Sequence, residues 1–99
     1  MSEIATTILK QMGGRSRLEA MVGATNFFSI KDGNGLSFRF KGSKIANYVE
    51  IVLNSLDTYT VRFVKIRGTD VKEIKTAHTV FYDSLKELFE NTTKLYLTL

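Results

Sequence analysis

Ninety-nine residues, 43% hydrophobic and 11% aromatic, suffice for one compact domain with a single core and are too few for two. The chain has no cysteine, which excludes disulfides, thiolate metal sites, iron–sulfur clusters and cysteine nucleophiles. Fourteen Lys and Arg against ten Asp and Glu leave a formal charge of +4, an excess that assists binding to polyanions without establishing it.

The opening stretch, MSEIATTILKQ, has an acid at position 3, no cation before Lys10 and no apolar run of secretory or membrane-spanning length. The expectation is a cytoplasmic protein with no membrane partner. Ile4, Ile8, Leu9 and Met12 recur at helical spacing, and Gly13-Gly14 supplies a left-handed stop, so a short helix is predicted there. With one apolar stripe and about three turns, it must dock on something larger.

Beyond it the period changes to two. Leu18, Ala20 and Val22 alternate with Glu19 and Met21, which predicts a strand over residues 17–22. Asp32-Gly33-Asn34-Gly35 signals a hairpin. Pairing Ile30 with Leu36 and Phe28 with Phe38 buries one face, whereas a two-residue Gly33-Asn34 loop would set Phe28 opposite Arg39; the first register is preferred. Leu36, Phe38 and Phe40 then form a core face, and Ser37, Arg39 and Lys41 a wet one. Gly42-Ser43-Lys44 lacks the spacing and the following helix of a phosphate loop and is predicted to be a turn.

Tyr48 to Leu53 alternates as a strand, and so does the segment 58–67, whose phase slips at Phe63-Val64. A bulge there would turn Lys65 and Arg67 to the solvent side that Arg62 occupies. Gly68-Thr69-Asp70 is a tight turn, and the next strand carries Lys72 and Lys75, charges suited to an exposed edge. Phe81, Leu85, Leu88, Phe89 and Thr92 mark a second helix, with Ser84 and Glu87 spaced as a capping box. The tail, Leu95, Tyr96, Leu97 and Leu99, is apolar enough to pack as a short strand or against the sheet. The fold class is α+β: an N-terminal helix, an antiparallel meander of five to six strands and a C-terminal helix, with the helices on one face of the sheet.

Catalytic chemistry is sparse. His78 is the one histidine, Asp83 and Ser84 are explained by helix capping, and the acids are scattered except for Glu87 and Glu90, whose spacing suits a solvated helix face. No enzyme, metal or cofactor is expected. The remaining candidate is cationic. Arg39, Lys41, Lys44, Arg62, Lys65, Arg67, Lys72 and Lys75 form a patch able to neutralise phosphates if their strands point them the same way; otherwise they are a solvated face.

The segment ILKQMGGRSRLEAMVGATNF, starting at Ile8, resembles a group of small proteins encoded by phages and bacterial mobile elements, through Leu9, Lys10, Gln11, Gly13, Gly14, Met21, Gly23, Ala24, Asn26 and Phe27, and the similarity continues to the C-terminal LKELFENTTKLYLTL. It departs from that group at Arg15-Ser16-Arg17, where a more compact polar turn is expected. The resemblance implies a phage-type accessory protein in a host bacterial cytosol and transfers no catalytic or binding residue. Two readings follow: a module that binds nucleic acid or a nucleoprotein through the cationic sheet face, or a protein-binding inhibitor of a host defence system, such as a CRISPR effector, or a phage assembly factor. The second would use Tyr48, Val52, Tyr96 and Leu97 as an interface with a host or phage protein, or as the seam of a homodimer.

Overall fold

The computed structural model describes residues 1–97. Helix α1 (Glu3–Gln11) starts at Ser2, whose hydroxyl accepts the Ala5 N–H at 3.0 Å and donates to the Gly33 carbonyl at 2.7 Å. That cap satisfies one orphan donor and ties the helix to the first hairpin. Ala5, Ile8, Leu9 and Met12 are buried, and Gly13 and Gly14, at φ of 111° and 94°, end the helix as expected.

The strand expected over residues 17–22 is instead a second helix, α2 (Arg15–Val22). Leu18 and Val22, four residues apart, are both buried, Met21 packs beside them, and Ala20 is exposed. The i, i+4 pair carried the true period, and the alternation through Ala20 was incidental. Gly23, left-handed at φ 62°, closes this helix; the following Ala24 N–H reaches back to the Leu18 carbonyl at 3.2 Å.

Five strands follow, β1 (Thr25–Ile30), β2 (Gly35–Arg39), β3 (Tyr48–Leu53), β4 (Tyr59–Arg67) and β5 (Asp70–Val80). Each pairs antiparallel with the next, giving a sheet in sequence order with β1 and β5 at its edges. Short turns force this meander, because parallel pairs need a crossover. The hairpin register is neither alternative read from the sequence: Ile30 faces Gly35, Ser29 faces Leu36 and Phe28 faces Ser37. A four-residue turn, Lys31 to Asn34, with Lys31, Asp32 and Gly33 all at positive φ, sets it. An irregularity between Thr25 and Phe28, with Asn26 at φ 56°, then swings Phe27 inward, where its ring lies 5.3 Å from that of Phe38. Phe28 is left 60% exposed.

The core lies between one sheet face and the three helices, the third being α3 (Leu85–Thr93). The Phe89 ring sits 4.9 Å from Phe40, 6.2 Å from Phe38 and 6.3 Å from Phe63, so α3 is anchored on an aromatic cluster from β2 and β4. Phe38 and Phe40 are buried and Arg39 is exposed, as their alternation predicted. The capping box does not form. A 3-10 turn at Tyr82–Ser84 leads into α3, leaving Ser84 near helical angles without a side-chain cap and Phe81 exposed rather than on the buried stripe. The tail packs without forming a strand up to residue 97: Leu97 is fully buried, its N–H donating to Glu90 Oε2 at 2.7 Å, while Arg17 donates to its carbonyl at 3.3 Å. Leu99 lies outside the described residues. No described helix is long and apolar enough to cross a membrane.

Candidate functional site

The eight cations singled out in the sequence do not share one surface. The register decides this, since residues directly opposite in an antiparallel pair stand on the same face. Arg62 pairs with Glu50, and Val64 with Tyr48, which in turn faces Arg39, so these side chains share the outer face, away from the helices. The bulge is present at Phe63/Val64, but its extra residue is on β5: Lys75 opposes Phe63 and Glu73 opposes Val64, leaving Ile74 between them. Strand β4 keeps its phase against β3. Lys65 and Arg67 therefore stand on the side opposite to Arg62, not beside it.

There they meet two further cations. The Gly68-Thr69 turn places Lys65 opposite Lys72 and Arg67 opposite Asp70. The loop 40–47 brings Lys44 alongside, and these residues line a groove of about 600 Å³ together with Ser43, Ile45 and Ile74. The wall is pinned: Ser43 Oγ donates to the Thr93 carbonyl at 2.8 Å and accepts the Ile45 N–H at 3.1 Å. Lys65 Nζ donates to the Ser43 carbonyl at 3.4 Å. Among the described residues, none of Lys44, Lys65, Arg67 and Lys72 is in an ion pair. Like charges directly opposite on neighbouring strands repel, so the Lys65–Lys72 pair is relieved by any anion that settles between them.

A second, smaller pocket of about 280 Å³ at the same end of the sheet is lined by Arg39, Lys41, Thr25, Asn26, Phe40 and Asn47. The Lys41 N–H donates to the Val22 carbonyl at 2.8 Å, fixing the strand end to α2. The Asn47 amide bonds both the carbonyl and the N–H of Ile66 at 2.8 Å, fixing the loop end to β4.

Arg62 belongs to neither pocket, and its charge is committed. Its Nε donates to Glu73 at 2.7 Å and its Nη1 to Glu50 at 3.2 Å. The hydrogen bond to Glu73 raises the guanidinium pKa, and the same contact holds the Glu73 carboxyl below the ordinary range. Glu50 also accepts the Tyr48 hydroxyl at 3.0 Å, and burial pushes that phenol upward. Lys75 is exposed on β5 and lines neither pocket.

The expected protein interface is dispersed as well. Tyr48 and Val52 are half-buried on the outer face, Tyr96 is exposed on the tail, and Leu97 is in the core on the helix side. His78 is exposed near the end of β5. Among the described residues, no three His, Asp or Glu side chains converge as a metal site requires.

Sequence reasoning missed that the Gly42-Ser43-Lys44 turn is the groove's wall and that Asp70, Ile45 and Ile74 complete its lining. A usable signal was present for Asp70, because counting back from a two-residue turn sets Lys65 against Lys72 and Arg67 against Asp70. No protein-family model, curated protein or solved structure matches the chain.

Proposed function

We propose that this chain is a non-enzymatic accessory protein that binds nucleic acid, or a nucleoprotein, through the cationic groove between β4, β5 and the loop 40–47. The observation that carries the reading is the convergence of Lys44, Lys65, Arg67 and Lys72 on one groove, two of them directly opposed, with a single carboxylate, Asp70, opposite Arg67 and in an ion pair with none of the four. A chain that needed these residues only for solubility would be more stable with them interspersed with acids, as Arg62 is. Phosphates supply the missing counter-charge, and their release of counterions supplies a salt-dependent driving force. The resemblance of the segment from Ile8 to small phage and mobile-element proteins supports an accessory role in a bacterial cytosol.

The test is a filter-binding titration with mixed-sequence oligonucleotides over a range of salt. Affinity should fall steeply and linearly in log–log form with salt, and Lys44→Gln/Lys65→Gln/Arg67→Gln/Lys72→Gln together should reduce it by about two orders of magnitude at low salt. Weak binding with no salt slope in the wild type would overturn the reading.

The outer face favours a second reading, contact with a host or phage protein. Phe28 on the β1 edge is 60% exposed there and Val71 on the β5 edge 62%, with half-buried Tyr48 and Val52 on the central strand β3. Under that reading Phe28→Ser, and not the groove variant, would abolish capture of the partner.

A further inference from the structure

The two cationic pockets occupy one end of the sheet, where β2 and β4 finish and β3 and β5 begin, yet their cations stand on different faces: Arg39 on the outer one, Lys65, Arg67 and Lys72 on the inner. The loop 40–47 separates them. Lys41 lines one pocket and Ser43 and Lys44 the other, so the two linings are two residues apart in the chain, a backbone separation of at most roughly 7 Å.

We propose that Arg39 and Lys41 continue the groove of Lys44, Lys65, Arg67 and Lys72 into a single path around the sheet end, and that its ligand is single-stranded nucleic acid held by its phosphates. The inference rests on the nucleic-acid reading above and specifies the form of the ligand. Three observations carry it. First, a ligand touching both sets must bend around the end of the sheet from one face to the other, which a single strand does freely and a duplex, with a persistence length of about 150 base pairs, does not. Second, the pockets, at about 600 and 280 Å³, are half-open recesses rather than a flat platform. Third, the only aromatic ring in either lining is Phe40, which is 2% exposed, and the Asn47 amide is taken up by Ile66. The two linings offer charge and no exposed ring, and Tyr48 opposite Arg39 and the exposed Phe28 lie outside them on the outer face, so contacts inside the pockets are to the backbone rather than to base identity.

Fluorescence anisotropy with labelled oligothymidylate, oligoadenylate and a duplex of the same length tests this, on wild type, on Arg39→Gln/Lys41→Gln and on the four-residue groove variant. Single strands should bind about tenfold more tightly than the duplex, with oligothymidylate and oligoadenylate within about threefold of each other. Arg39→Gln/Lys41→Gln should weaken single-strand binding about tenfold at low salt and reduce the magnitude of the log–log salt slope by about 1.4, two contacts at about 0.7 each. The charge-conserving Arg39→Lys/Lys41→Arg should restore the slope. A duplex bound as tightly as the single strand, or a salt slope unchanged by Arg39→Gln/Lys41→Gln while the groove variant loses binding, overturns the single-strand path and leaves the nucleic-acid reading standing. Absence of any binding by the wild type removes both.

Discussion

Arg62 on β4 holds Glu73 on the neighbouring β5 at 2.7 Å, and the same guanidinium reaches Glu50 on β3 at 3.2 Å. One cation thus bridges three strands on the outer face, its charge balanced by two carboxylates. It separates cations that serve the sheet from cations left without partners. Arg62→Met is therefore expected to leave polyanion affinity within about twofold of wild type, because its charge is already taken up by two carboxylates in a partly exposed cluster. Lys65→Gln should weaken it by about threefold or more at low salt. Parallel titrations check this, and equal losses in the two variants would show that the division is wrong.

The same contact sets an acid dependence. Arg62 holds the Glu73 carboxyl below its ordinary value near 4.5. A group whose folded pKa is depressed contributes stability above its unfolded pKa and loses that contribution as pH falls through the folded one. Urea midpoints for wild type should therefore decline as pH drops below about 4.5, with a shallower decline in Glu73→Gln. Matching acid limbs in the two proteins would contradict the linkage.

At the other end of the scale stands Tyr59, which is buried and donates its hydroxyl to Gln11 Oε1 at 2.7 Å, joining β4 to α1. Burial raises its phenol above 10.0. The sign is now reversed: the neutral phenol's contribution is complete below the unfolded pKa and is lost as pH rises through the folded one. Tyr59→Phe should lower stability near neutrality by about 1 kcal/mol for the lost hydrogen bond. It should also flatten the alkaline limb above about pH 10. Unfolding curves at pH 7 and in the alkaline range measure both effects.

Gly35 tests the hairpin register. A Cβ there would lie 2.7 Å from the Ile51 carbonyl, a backbone atom that cannot move aside without disturbing the pairing of β2 with β3. Gly35→Ala is expected to destabilise by about 1–3 kcal/mol through overpacking in a buried sheet. Gly68→Ala, where nothing lies within 4 Å, should cost only what its φ of 58° imposes. A harmless Gly35→Ala would mean that β2 is paired differently.

These cases also show what could be read in advance. The core face of β2 and the strands expected at 48–53 and 58–67 follow from period-two patterning, which is local and survives any register, while the order of the meander follows from its short turns and the edge position of Lys72 from its charge. The features that escaped depend on where one extra residue falls. Residues 15–22 offered Leu18-Ala20-Val22 and Leu18-Val22 at once, and only the neighbouring elements decide between a strand and a helix for so short a segment. Phe27 and Phe28 are adjacent aromatics, so the irregularity at Asn26 determines which is buried. The cationic site turns on the same uncertainty. An extra residue on β4 would have put Lys65 beside Arg62; located on β5 at Ile74, it sends Lys65 to the helix side to meet Lys72.

Thr92 supplies the remaining prediction. It lies on α3, and its hydroxyl oxygen is the one buried side-chain polar atom found without a hydrogen-bond partner among the described residues. Its neighbour Thr93 is satisfied, donating to the Phe89 carbonyl at 2.7 Å one turn back. A buried hydroxyl without a partner costs about 1–3 kcal/mol relative to one that is bonded or absent. Valine has the same shape, with a methyl group in place of the hydroxyl, and both residues are β-branched, so helix propensity scarcely changes. Thr92→Val should therefore raise the urea midpoint, by an amount equivalent to about 1 kcal/mol, with an unchanged denaturant slope. Thr93→Val should lower it, because that change removes a bond already made. The opposite signs at adjacent positions of one helix are the diagnostic. Two variants that both lose stability would mean that the Thr92 hydroxyl has a partner in solution.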